Sequence, residues 1–121
     1  MSAPQSIKDT QLWKKTEELL LKINVLSAAM PPDNMNLYEV QKRLRLCVST
    51  IPESIESGFK QNTRINKIRS IIKAISALEE CKDYLCLVER MKLHNTTDLI
   101  EDIDSIKDIL NGEYTHRFMT N

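Results

Sequence analysis

The chain has 121 residues, 41% of them hydrophobic and 28% charged, with 17 basic side chains balancing 17 acidic ones. That is one domain's worth of sequence, residues 1–121, long enough to bury a core without disulfides. The neutral balance counts against a general nucleic-acid binder, which carries a surplus of Lys and Arg, and the few turn formers (two glycines and four prolines) count against a turn-rich sheet protein.

No apolar run approaches the roughly 20 residues of a membrane span, so no membrane segment is expected. The start, MSAPQSIKDTQ, lacks a charged segment leading into an apolar one, as a secretory signal would have. Residues 1–8 read as a frayed arm. From Leu12 the apolar positions Leu12, Leu19, Ile23 and Leu26, with Trp13, Thr16 and Leu20 beside them, fall in helical steps. The first helix is expected over about 10–29, capped by Asp9 or Thr10 and stopped by Pro31-Pro32.

Asn36, with Glu39 three residues on, has the capping-box pattern for a second helix over about 37–57. Its seam is Leu37, Val40, Leu44, Cys47, Ile51 and Ile55. Pro52 falls inside that seam and removes a hydrogen bond to the carbonyl of Val48, which predicts a kink. Gly58 fits the left-handed position past a helix end. Asn62 or Thr63 can cap a third helix, about 63–92, with a seam of Ile65, Ile68, Ile72, Ile75, Leu78, Cys81, Leu85 and Val88. A fourth, about 98–111, carries Leu99, Ile103, Ile106 and Leu110 between an Asp98/Glu101 capping pattern and the stop Asn111-Gly112, followed by an aperiodic tail. Four amphipathic helices with short loops predict an all-α fold, an antiparallel up-down-up-down four-helix bundle.

Catalytic and metal chemistry find little support. Cys81 and Cys86 are five apart, about 140° around a helix, and do not share a ligand face. Glu113 and His116 form one Glu-x-x-His, whereas di-iron bundles need two such motifs and two further glutamates. The pairs Asp104/Asp108 and Glu79/Asp83 read as solvated faces, His94 has no nucleophile paired with it, and no Gly-rich phosphate loop occurs. No enzyme, cofactor, metal or small-molecule substrate is expected. Three cysteines in apolar helical surroundings fit a reducing, cytoplasmic setting.

Charge is unevenly spread. Residues 37–73 carry eight basic and three acidic side chains, and residues 79–113 carry four basic and ten acidic. Arg43, Arg45, Lys60, Arg64 and Lys67 are therefore candidates for binding RNA or DNA, with Lys60, Arg64, Lys67 and the Arg69/Lys73 pair read as a stripe at three- to four-residue steps. The competing reading makes that surface the mate of the acidic fourth helix of another copy. Leu21 and Val25, behind the first seam, and Leu46, opposite Leu44 among basic neighbours, are candidates for the contact between subunits.

The sequence resembles the bacterial four-helix-bundle proteins encoded by intervening sequences of 23S ribosomal RNA genes. The family's second helix reads like L-R-R-A-A-V-S-I-P-A-N-I-A-E-G; here Leu44, Arg45, Ile51, Pro52, Ile55 and Gly58 match, and Thr50 stands for the serine. W-K-K-T-E-E-L from Trp13 to Leu19 and the stretch from Ile72 to Glu80 are similar to its first and third helices. Ser54, Ser57 and Leu46 depart from the family's asparagine, glutamate and arginine. The resemblance implies a homo-oligomer, a pentameric ring, with no catalytic activity. The chain is also similar to the accessory protein of diversity-generating retroelements, a markedly basic bundle that works with a reverse transcriptase and nucleic acid.

Overall fold

The structure is a computed structural model that describes residues 10–30, 35–91 and 95–115. Four helices follow one another: α1 Gln11–Ala28, α2 Met35–Lys60, α3 Arg64–Arg90 and α4 Thr97–Ile109, the last running into a π-helical turn over Leu110–Thr115. The N-terminal arm, Asp9, Pro31-Pro32, His94, His116 and the last residues of the tail fall outside the described residues.

Each helix packs on its neighbours in sequence, and α4 returns to α1, so the four enclose one core. Cross-contacts give directions. Ser57 of α2 meets Ser70 of α3 at 3.4 Å while Cys47 lies beside Cys81, so these two helices run antiparallel. Lys82 reaches Asp104 at 3.0 Å and Glu79 reaches Lys107 at 3.7 Å, so α3 and α4 do too. The expected seams of α1, α2 and α4 are all buried: Leu19, Ile23, Leu44, Ile51, Ile55, Ile103 and Ile106 lose essentially all contact with solvent. These aliphatic side chains supply the main drive to fold.

The seam expected for α3 needs correction in its first half. Ile65 and Ile72 are 64% and 51% exposed, and Ile68 and Ile75 are only half-buried, while Ile71, Ala74 and Ala77 face the core. Two apolar series interleave here, and the inward one uses small residues because α2 comes close. At Gly58 an added β-carbon would lie 3.2 Å from Ile71 Cδ1 and 3.4 Å from Ser70 Cβ. Gly58 is therefore a close-approach point inside α2 and not its left-handed stop. The helix runs on through Pro52 to Lys60 and closes with the Gln61 N–H donating to the Ser57 carbonyl at 3.1 Å.

The caps divide in the same way. Thr10 accepts from the Trp13 N–H and Thr63 from the Asn66 N–H, both at 3.2 Å, each satisfying a donor that a helix start leaves open. Asn36 already lies within α2, and Asp98 within the first turn of α4. The α3–α4 turn is held another way: the Glu89 carboxylate accepts from the Thr96 N–H at 3.1 Å, and the buried Thr96 hydroxyl is within 3.3 Å of both that carboxylate and the Leu85 carbonyl. Gly112 does not stop the fourth helical stretch, which passes through it to Thr115.

Candidate interaction surfaces

With the seams filled, the aliphatic residues left outside stand out. Leu21 and Val25, four apart on α1, are 66% and 64% exposed, and Leu46 on α2 is 63% exposed. Residues four apart lie one above the other on a helix, so Leu21 and Val25 form a small apolar ridge. Beside it Lys22 bridges Glu18 at 3.4 Å and Asp102 of α4 at 3.0 Å; the hydrogen bond to Asp102 is the chief reason its ammonium is held protonated above the usual lysine range.

Leu46 stands between two shallow grooves. One, of about 290 Å³, lies between α2 and α3 and is bordered by Arg43, Leu46, Thr50, Lys73, Ser76 and Glu80. The other, of about 280 Å³, is bordered by Tyr38, Gln41, Lys42, Arg45 and Leu46. Tyr38, 57% exposed, is an aromatic side chain beside basic residues that sequence reading passed over, although its spacing to Lys42 and Arg45 places all three on one helical face.

The five basic candidates fall into two groups, and the stripe expected from Lys60 to Lys73 is divided between two helices. Arg43 and Arg45 lie in the first half of α2, while Lys60 is its last residue and Arg64 and Lys67 begin α3. From Arg45 to Lys60 is about 22 Å along the helix. At one end Arg43 pairs with Glu39 at 3.5 Å, and the Tyr84 hydroxyl beside its guanidinium is the first cause holding it charged. At the other, Lys60 pairs with Glu56 at 3.7 Å and Lys67 is half-buried, whereas Arg69 and Lys73 face solvent on another side of α3. The acidic helix is likewise part-occupied within its own chain, Asp102 by Lys22 and Asp104 by Lys82.

Ser54 and Ser57 lie between helices. Ser54 is buried, Ser57 Oγ meets Ser70 Oγ and accepts from Gln61 Nε2 at 3.1 Å, and a small polar recess is lined by both with Glu53, Ser70 and Lys73. Among the described residues no group of three or more His, Cys, Asp or Glu side chains could hold a metal, and no helix is long and apolar enough to cross a membrane. Cys47, Cys81 and Cys86 are free thiols, the first two buried.

A four-helix all-α protein whose distinctive surface is apolar and charged helix faces is what these observations define. Residues 8–112 match the family described as 23S rRNA-intervening sequence protein, and the chain belongs to that family. No curated protein and no solved structure matches it significantly.

Proposed function

We propose that the protein is a non-enzymatic, cytoplasmic scaffold that assembles with copies of itself through head-to-tail contacts into a closed ring, five subunits being the number its family resemblance implies. The observation that carries this reading is the set Leu21, Val25 and Leu46, each more than three-fifths exposed on helices whose inward seams are already full. A scattered exposed leucine needs no explanation, but a ridge on one face and an anchor on another meet the requirement of a heterologous contact, which joins two different patches. The basic side chains of α2 and α3 and the α4 carboxylates Asp98, Glu101 and Asp108, all exposed, would then set orientation and encounter rate. Size exclusion with light scattering at tens of micromolar should give a mass several times the 14.0 kDa chain, and Leu21→Glu or Leu46→Glu should lower it. A wild-type monomer under those conditions overturns the reading.

A second reading has its own observation, the exposed Tyr38 on one face with Lys42 and Arg45 at the rim of a groove. A base can stack on such a ring while the cations hold phosphate. In a mobility-shift titration with single-stranded RNA, this reading requires binding at low salt that weakens steeply as salt rises and is reduced by Tyr38→Ala and Arg45→Ala. No binding at low salt removes it.

A further inference from the structure

The outward face of α3 is exposed to solvent from Ile65 to Leu87, and its pattern has a centre. Ser76, small and exposed, lies midway along the helix. Seven residues before it is Arg69 and seven after it is Asp83; both are exposed and neither forms an ion pair among the described residues. Lys73 is three before Ser76, with Glu79 three and Glu80 four after it, all exposed. Eleven before is Ile65 and eleven after is Leu87, two of the exposed large hydrophobics, with Ile72 between Ile65 and Ser76 on the same side. At 100° per residue, seven residues make nearly two full turns, so Arg69, Ser76 and Asp83 share one line down the helix and the others flank it.

We propose that a second copy of this chain docks on that face, α3 against α3, antiparallel and related by a two-fold axis through Ser76. In such an isologous contact residue i meets residue j of the copy and j meets i, so a helix can only pair with itself if its two halves are complementary about one point. These halves are. Arg69 faces Asp83 of the other copy, and Lys73 faces Glu80, so the basic first half of each helix lies on the acidic second half of its mate. A parallel pairing would instead set like charges side by side, which is repulsive. Ser76 at the axis lets the backbones approach, and Ile65 and Leu87 close both ends with apolar contact. Glu79 is held toward its own α4 by Lys107 at 3.7 Å and is not one of the cross-contacts, while Glu80 accepts from the Tyr84 hydroxyl of its own helix at 3.4 Å.

This contact is independent of the head-to-tail ridge on α1, and its test distinguishes the two. Ser76→Cys is placed in a Cys86→Ser background, leaving only the buried Cys47 and Cys81, and treated with a short bismaleimide. The expected product is a covalent dimer, absent from a control with the new cysteine at the exposed Asn111. Arg69→Glu in the Ser76→Cys chain should abolish the dimer, and adding Asp83→Arg should restore it, because the charges then complement again in reverse. Leu21→Glu, which disturbs the ring, should leave the crosslink unchanged. Crosslinking of Ser76→Cys no greater than the Asn111 control overturns the proposal, as does failure of the double swap to restore what Arg69→Glu removed.

Discussion

Ile71→Ala is expected to lower the stability of the chain by about 3 kcal/mol, within the 2–5 kcal/mol typical of such truncations, while Ile72→Ala changes it by less than about 1 kcal/mol. The two residues are adjacent and identical, so propensity and transfer free energy cancel and only position differs. Ile71 is fully buried, and its Cδ1 approaches the α2 backbone where Gly58 carries no side chain. Truncating it leaves a cavity in the tightest part of the α2–α3 contact, where two close backbones have little room to collapse. Ile72 is half in solvent, loses little contact, and gains from the higher helix propensity of alanine. Urea unfolding gives both numbers, with equal m-values showing that only stability has changed. Repeating it at two protein concentrations separates any part of the Ile72 effect that comes from subunit contact. A larger loss at Ile72 than at Ile71 would return the core to the outer isoleucine series.

That pair also locates the limit of what could be read from sequence. The seams of α1, α2 and α4 were legible because each has a single series of large aliphatic residues at helical steps. In α3 the series Ile65, Ile68, Ile72, Ile75 is the more hydrophobic of two, but the inward one, Ile71, Ala74 and Ala77, wins because α2 packs close, as the approach of Ile71 and Ser70 to Gly58 shows. Small residues are chosen by the distance between backbones, which no single helix records. Thr10 and Thr63 were legible as caps because they bond to a donor three residues on. Glu89 was not, since it reaches Thr96 across a turn. The apolar surface candidates Leu21, Val25 and Leu46 were readable as residues behind a seam. The stripe read from Lys60 through Arg64 and Lys67 to the Arg69/Lys73 pair crosses a helix boundary, because Lys60 ends α2 while the other four lie on α3.

Alkaline pH should destabilise this protein through two thiols, by about 4 kcal/mol between roughly pH 8 and pH 10. Cys47 and Cys81 face each other across α2 and α3, one 5% exposed and the other fully buried. Burial is the first cause in both: it penalises the thiolate and pushes Cys47 up to about 12, with the Glu80 carboxylate adding to the rise. Cys81 is pushed up as well, again by burial first and then by the charge that Cys47 would carry. In the unfolded chain each thiol ionises near its ordinary value, about 8.5. Below that value both states hold the proton and the thiols contribute no pH dependence. Above it the unfolded chain releases protons that the folded chain retains, so stability falls as pH rises, and continues to fall until Cys47 in the folded chain begins to ionise near 12. Lysines and tyrosines titrate in the same range, so the comparison is between the wild type and the Cys47→Ala/Cys81→Ala chain. The double variant is less stable at both pH values because it leaves two small cavities, but its loss between them should be smaller than the wild type's by that same amount. Equal losses in the two chains would mean that these thiols titrate alike folded and unfolded, and the α2–α3 contact would then be open to water.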